Sequence, residues 1–198
     1  MNSDDLHKAS LEFHPLTKER WADFEELFGE RGAYGGCWCM WWRLTRREFE
    51  KGQGEGNREA MRSIVWSDEV PGILAYQGGR AVGWCSVAPR ENYGSLNRSP
   101  VLKKIDDRQV WSIVCFFVSK DHRHQGLMLK LIHAAIDYIQ SQGGKVVEAY
   151  PTIHTSKRVP PVSSYMGFPQ MFEKAGFIEC AQPSKSKVVM RYFIESDS

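Results

Sequence analysis

The sequence lacks a long apolar segment and a large excess of charge of either sign. Its 198 residues contain 26 Lys and Arg against 24 Asp and Glu, which gives a net charge of +2. No stretch approaches the roughly 18 consecutive apolar residues of a transmembrane helix. The balanced charge excludes a strongly basic nucleic-acid-binding protein and an acidic tail protein. We therefore expect neither a membrane nor a nucleic acid as a partner.

Cysteines are few and odd in number, and a signal peptide is absent. A chain of this length buries enough apolar surface without cross-links, so its five cysteines predict reduced thiols rather than a disulfide framework. The N-terminus has no cationic start followed by an apolar stretch. These features predict a cytoplasmic protein with a polar tail at residues 1–10 and a single domain at residues 11–196.

The common glycine-rich nucleotide motifs are also missing. Neither the Rossmann fingerprint nor the GKS/GKT phosphate loop follows any apolar run. Alternation and apolar runs instead predict strands at 11–14, 72–77, 80–88, 110–118, 145–150, 177–180 and 188–194. Helical patterns cover 17–28, 57–66, 125–142 and 165–175, the last interrupted at Pro169, and residues 37–49 are compatible with a further helix. An antiparallel start that leads into a strand–helix–strand crossover predicts a mixed α/β sheet.

The clearest functional signal is the hexapeptide Arg123-His124-Gln125-Gly126-Leu127-Met128, which joins a buried strand to an amphipathic helix. A helix N-terminus presents unpaired N–H groups and partial positive charge, and Gly126 lets a ligand approach the main chain closely. A pyrophosphate fits these properties. An ordinary basic turn between a strand and a helix is the alternative.

Several motifs in order resemble the GNAT N-acetyltransferase family, whose signature R/Q-x-x-G-x-G/A lies between its fourth strand and the following helix. The hairpin around Gly78-Gly79, the strand that begins at Lys145, and Phe172-Glu173-Lys174-Ala175-Gly176-Phe177 agree with that family in order and spacing. The resemblance covers about residues 11–194. It implies a single α/β (α+β) domain with a mostly antiparallel mixed sheet, helices on both faces, and a central parallel strand pair that splays apart.

The resemblance also implies acetyl-CoA as the acyl donor, an amine acceptor, and direct attack without an acyl-enzyme. It assigns pantetheine to the main chain of Phe117 and Val118. It assigns the pyrophosphate to the signature turn, namely Arg123, His124, Gln125, Gly126, Leu127 and Met128. Met128 departs from the Gly or Ala of the signature, and its place in the apolar stripe of the helix predicts a core contact.

Two proton transfers need candidate residues, one to the leaving thiolate and one from the amine. Phe172 stands where the family commonly has a Tyr that protonates the leaving CoA thiolate, so Tyr165 or Ser164 is the replacement we expect. Glu148, a lone acid within an apolar strand, is the candidate general base for the amine. A buried acid also pairs commonly with Lys or Arg, which is the structural alternative for Glu148.

The most unusual segment, Cys37-Trp38-Cys39-Met40-Trp41-Trp42-Arg43, resembles a C-W-C-M-x-W-R stretch of relatives within this superfamily. The family builds much of its acceptor pocket from this region, so the resemblance implies that Trp38, Trp41 and Trp42 bind the acceptor. An aromatic helix that fills the core is the alternative. A structural zinc needs about four ligands and no second Cys/His pair has finger spacing, so we predict no metal.

These observations together predict an acetyl-CoA-dependent N-acetyltransferase that acts on a primary amine of a small molecule. Two alternatives remain at this point: an acyl-CoA-binding module without turnover, and a metal or thiol sensor built on Cys37 and Cys39. The sequence leaves the acceptor, the acyl chain and the oligomeric state open, and a homodimer is compatible with it.

Overall fold

The computed structural model describes residues 10–154 and 164–195. Most of the predicted tail (residues 1–9) and much of the predicted proline-rich loop (residues 155–163) lie outside the described residues. Within the described ranges, no helix is both long enough and apolar enough to cross a bilayer.

In the part of the chain that the structure describes, seven strands form one sheet in the order β1-β2-β3-β4-β5-β7-β6. They are β1 (Leu11–Pro15), β2 (Gly72–Gln77), β3 (Arg80–Pro89), β4 (Trp111–Val118), β5 (Val146–Ala149), β6 (Ile178–Ser184) and β7 (Lys187–Phe193). Only β4 and β5 pair in parallel, while the other neighbours are antiparallel. The predicted mixed and mostly antiparallel sheet is confirmed.

Six α-helices accompany the sheet in the described residues. They are α1 (Trp21–Phe28), α2 (Arg46–Lys51), α3 (Glu55–Trp66), α4 (Gly94–Asn97), α5 (Leu127–Ser141) and α6 (Pro169–Lys174). Alternate residues of β3 point to opposite faces: Cys85 and Val87 pack in the cluster that includes α5, and Trp84 packs in the cluster that includes α1. Both faces of the sheet are therefore covered by helices.

Two predicted helices differ from the structure. Residues 37–45 are irregular, because Trp38 and Cys39 have φ values of +43° and +61°, which an α-helix does not contain. The helix begins only after Thr45, whose side chain accepts from the backbone N–H of Glu48 while that glutamate bonds back to the Thr45 N–H. Pro169 occupies the first turn of α6 rather than interrupting a longer helix, since its missing N–H costs nothing there.

The parallel strand pair separates after three residue pairs. The register ends at Ile113 and Ala149, yet β4 continues to Val118. The N–H of Phe116 donates to the carbonyl of Tyr165, in the segment between β5 and α6, at 2.6 Å. By the period-two rule Val118 lies on the same edge of β4 as Phe116. The predicted splay of the central pair is present, and it leaves the end of β4 open.

Candidate active site

The signature turn caps the N-terminus of α5. Gly126 is the N-cap residue with a φ of +75°, and His124 has a φ of +61°, so the chain turns sharply twice before the helix. A Cβ placed on Gly126 would meet no atom within 4 Å, which means that the space in front of the turn is open. The guanidinium of Arg123 folds back and donates through Nε to the carbonyl of Val118 at 3.0 Å. Open space, a helix N-terminus and a cation thus coincide at the end of β4.

A cavity of about 860 Å³ extends from this turn along the open part of β4. Its opposite wall comes from the segment between α1 and α3. The aromatic and polar side chains of that wall are Phe28, Tyr34, Trp41, Trp42, Phe49 and Gln53. We call this wall the aromatic chamber. One continuous cavity therefore joins the signature turn, the edge of β4 and the aromatic chamber.

Most of the predicted site residues line this cavity. The lining contains Trp41, Trp42, Phe117, Val118, Arg123, His124, Gly126, Leu127, Met128 and Tyr165. Met128 also packs against the core cluster that includes α5, as its place in the apolar stripe indicated. The amide side chain of Gln125 turns away and donates to the carbonyl of Asp121 at 2.8 Å, so only its main chain stays available to a ligand.

Trp38 lies in the core rather than on the cavity wall. Its side chain is 5% exposed and stacks on Phe28, with ring centroids 5.7 Å apart and an angle of 15° between the planes. The left-handed backbone at Trp38 turns this ring inward, while Trp41 remains 42% exposed. The predicted wall of three tryptophans thus divides into one core residue and two cavity residues.

Glu148 lies in a buried ion-pair network outside the cavity lining. The structure thus contains the alternative considered from the sequence, a buried acid that pairs with arginine. The residue is 1% exposed. Its Oε1 accepts from Arg90 Nη1 at 2.8 Å and from the Tyr150 hydroxyl at 2.6 Å, and its Oε2 accepts from Arg191 Nε at 2.7 Å. Both carboxylate oxygens therefore accept from donors that lie in β7, directly after β5 and directly after β3.

The network extends to the surface through Asp106. Both outer nitrogens of Arg191 donate to this carboxylate, at 2.6 and 3.0 Å. The hydrogen bonds from Arg191 lower the pKa of Asp106 to about 2. Its contribution to stability is therefore present above pH 3.8, its ordinary pKa, and is lost as the pH falls towards 2.

Tyr165 is the candidate proton donor for the leaving thiolate, a role that Phe172 cannot perform. Phe172 is fully buried in the core and has no hydroxyl group. Tyr165 lines the cavity beside Ser164, and burial, followed by electrostatic interaction with the nearby cysteines, raises its pKa above the ordinary value. Its hydroxyl therefore keeps its proton at neutral pH, as a proton donor must.

A cluster of thiols on the cavity wall was missed by the sequence reasoning. Cys37, Cys39 and Cys115 all line the cavity. A hydrogen bond from the Cys115 thiol, with a smaller contribution from the Trp84 indole N–H at 3.2 Å, overcomes burial and lowers the pKa of Cys39 to about 7. The only signal in the sequence was the place of Cys115 within the strand that precedes the signature turn. Across residues 10–154 and 164–195, no group of three or more His, Cys, Asp or Glu is arranged to hold a metal ion.

Comparison with known proteins agrees with this geometry. The family model described as "Acetyltransferase (GNAT) family" matches residues 38–160. The chain therefore belongs to the GNAT family of acetyltransferases. The match covers β2 to β5, the signature turn and most of the segment that forms the aromatic chamber.

Solved structures of this family share the fold. PaiA N-acetyltransferase of Thermoplasma acidophilum, crystallised with coenzyme A, aligns with a TM-score of 0.53 and 14% identity over 93% of this chain and 99% of its own. A GNAT-family acetyltransferase of Streptococcus agalactiae aligns with a TM-score of 0.54 and 13% identity over 94% and 96%. No curated protein sequence matches the chain significantly. Identities this low show the fold and leave the acceptor open.

Proposed function

We propose that this protein transfers the acetyl group of acetyl-CoA to a primary amine of a small molecule, by direct attack in a ternary complex. The observation that carries the proposal is the single cavity that joins the signature turn, the open edge of β4 and the aromatic chamber. A donor and an acceptor bound at its two ends would meet at β4. The PaiA structure holds coenzyme A, which supports the choice of donor.

The cofactor would lie along the residues that open onto the cavity. The pyrophosphate would bind the main-chain N–H groups that begin α5, from Gln125 to Met128, with the side chains of Arg123 and His124 beside it. Pantetheine would then follow the edge of β4 at Phe117 and Val118. Because the N–H of Phe116 is already bonded to Tyr165, the N–H of Val118 is the donor on this edge that we assign to pantetheine.

The reaction needs few protein groups. The amine attacks the thioester carbonyl, a C–N bond forms, and the C–S bond to CoA breaks. Main-chain donors near the carbonyl would stabilise the developing oxyanion. The CoA thiolate is a good leaving group, since an ordinary thiol has a pKa of about 8.5. The hydroxyl of Tyr165 would then donate a proton to the thiolate.

The proton of the amine has two candidate acceptors, Glu148 and water. Glu148 remains a prediction for this role, although its two oxygens already accept three hydrogen bonds. Water in the cavity is the second route for the amine proton, as in a relay that ends in solvent. The Glu148→Gln variant separates these two routes.

The acceptor would occupy the aromatic chamber against Trp41 and Trp42. The cavity is concave and lined by β4, the start of α5 and the segment between α1 and α3, which favours a small molecule over a protein surface. A cytoplasmic location belongs to the same proposal, since five cysteines in a chain of this length are typical of reduced thiols.

Calorimetry with acetyl-CoA tests the placement of the cofactor. Gly126→Glu would put a side chain and a negative charge against the pyrophosphate, so we expect binding to be lost. Gly143→Glu is the matched control, because Gly143 lies at the other end of α5 with a φ of +76° and equally open surroundings. Unchanged affinity in Gly126→Glu, or equal loss in both variants, would overturn the placement.

Release of free CoA thiol tests the activity. We expect wild-type protein with acetyl-CoA to release thiol only when an amine from a panel of small primary amines is added. Tight binding of acetyl-CoA without thiol release for any amine would instead identify an acyl-CoA-binding module.

A further inference from the structure

We infer that the acceptor is an aromatic amine that is uncharged at neutral pH, an arylamine rather than an alkylammonium ion. The inference rests on the proposed function, and names the chemical class that the acceptor end of the cavity fits. It depends on three observations: which rings form the aromatic chamber, which charges are missing from it, and where the cationic side chains lie.

The aromatic chamber offers faces and edges of rings to a flat ligand. Trp41 meets Phe49 edge to face, with ring centroids 5.1 Å apart. The rings of Phe28 and Phe117 have centroids 5.3 Å apart, so the aromatic surface continues to β4, the strand along which the thioester would lie. An aryl ring packed here would gain offset or edge-to-face contacts on more than one side.

Among the residues that the structure describes, the cavity lining offers no carboxylate to neutralise an ammonium ion. None of these lining residues is Asp or Glu. Transfer of an ammonium ion from water into this chamber would therefore cost solvation without an ion pair in return.

The basic side chains of the cavity lining supply no counter-charge for an ammonium ion either. Arg123 is at the end assigned to the pyrophosphate, with His122 and His124 beside it. Contact with aromatic faces stabilises a cation by less than the cost of burying it without an ion pair. A neutral amine avoids this desolvation of charge.

The thiols do not supply the missing counter-charge. Cys39 is the cavity group whose pKa is lowered, to about 7, and its sulfur already accepts from Cys115 and from Trp84. The positive charge of Arg43 lies near enough to lower the same pKa. The burial of Cys37 raises its pKa, so that thiol stays neutral. A thiolate at Cys39 is thus balanced by its own donors.

An uncharged amine also explains how the reaction proceeds without a carboxylate in the cavity. Its lone pair attacks the thioester carbonyl with no prior deprotonation, and a C–N bond forms as the C–S bond breaks. The nitrogen becomes acidic only after the attack and then loses its proton to water. The CoA thiolate takes a proton from Tyr165, which is reprotonated from solvent, so the products are the acetanilide-type amide and free CoA.

Two isomeric amines test the inference directly. 4-Methylaniline and benzylamine have the same atoms and nearly the same size, but at pH 7 the first is neutral and the second is an ammonium ion. With wild-type protein and saturating acetyl-CoA, we expect kcat/KM at pH 7 to be at least tenfold higher for 4-methylaniline. We expect its profile to stay within threefold from pH 6 to 8, while that of benzylamine rises with the fraction of free base. A Cys39→Ser variant should show the same preference.

A variant that adds a carboxylate sharpens the test. Gln53 lines the aromatic chamber, so Gln53→Glu should lower the preference for 4-methylaniline at least tenfold, whereas Gln53→Leu should retain it. Equal or faster turnover of benzylamine by the wild type would overturn the inference and leave the proposed function intact. If neither isomer is acetylated, the inference is overturned, and thiol release with the wider amine panel decides the proposed function separately.

Discussion

The two ends of the central parallel strand pair differ in how their polar groups are satisfied. At the paired end, Ser112 lies opposite Glu148, whose carboxylate is held by Arg90 and Arg191. At the splayed end, β4 runs beyond its partner and borders a cavity of about 860 Å³. Both ends belong to one strand of eight residues.

The contrast shows how one strand serves stability and chemistry separately. Buried charge at the paired end is matched by opposite charge within 3 Å, which leaves little for a ligand to bind. The splayed end instead presents a helix N-terminus, thiols and aromatic rings to open space. The sites of largest effect on folding and on turnover should therefore lie at opposite ends of β4.

The largest effect is expected for Glu148→Gln at the paired end. Loss of the carboxylate leaves the buried guanidinium of Arg90 without an ion-pair partner, while Arg191 keeps Asp106. The free energy of unfolding should therefore fall by about 3–5 kcal/mol. Glu179→Gln, on the exposed face of β6, should change it by less than about 0.5 kcal/mol. Urea unfolding measures both, and a loss under about 1 kcal/mol in Glu148→Gln would show that the network contributes little.

The same variant decides the role of Glu148 as a base. If the carboxylate only holds the fold together, kcat per folded molecule should stay within about threefold of the wild type below the unfolding temperature. A fall of about 100-fold or more in kcat, with folded protein present, would establish the general base that the sequence suggested.

Arg123→Ala tests the splayed end. Removal of a cation beside the pyrophosphate should weaken acetyl-CoA binding by roughly 10- to 100-fold, as expected for a hydrogen bond to a charged group. Lys130→Ala, at an exposed position on α5, removes the same charge from the protein and should change the affinity less than about threefold. Calorimetry compares them, and equal effects would mean that overall charge, not the signature turn, attracts the cofactor.

Tyr165→Phe should lower kcat by about tenfold, below the usual range for general acids because the CoA thiolate leaves readily. The KM for acetyl-CoA should change little, since only the hydroxyl is removed. Tyr138→Phe is a suitable control, because Tyr138 lies on α5 against Trp111 and outside the cavity lining. Unchanged turnover in Tyr165→Phe would remove Tyr165 from the mechanism.

The smallest effect is expected for the alkylation rate of the Cys39 thiol, measured in a Cys180→Ser variant that lacks the exposed cysteine. Because its pKa is lowered to about 7, its alkylation by iodoacetamide should rise with a midpoint near pH 7 and level off above pH 8. Cys115→Ala removes the largest cause of the lowering, so the midpoint should move upwards. Peptide mass spectrometry measures both rates, and acetyl-CoA should slow them by filling the cavity.

The elements around the signature turn could be predicted because their signals are local. The apolar run of β4, the amphipathic stripe of α5 and the paired glycines at 78 and 79 each determine their own structure. Gly78 and Gly79 indeed have φ values of +58° and +77°, as a type I′ turn requires. The strand, the turn and the helix that form this end of the cavity were therefore accessible from the sequence, and binding of the cofactor there stays a prediction.

The acceptor end depended on contacts between distant residues. The partners of Glu148 come from Arg90 and Arg191, which are 58 and 43 residues away, and no local pattern selects them among 26 Lys and Arg. The pattern of residues 37–49 is compatible with a helix, but the backbone at Trp38 and Cys39 is left-handed. This conformation buries the Trp38 ring against Phe28, a contact that no local pattern indicates. The meeting of Cys39 with Cys115 has the same non-local origin.

The bond from the Phe116 N–H to the Tyr165 carbonyl has a consequence for engineering. It anchors this position through main-chain atoms, so the side chain can be exchanged without releasing the segment from β4. Position 165 is thus a natural place for saturation mutagenesis, where new acids, bases or nucleophiles could be tried on an unaltered scaffold. A library at this one codon would sample different chemistries against the same bound thioester.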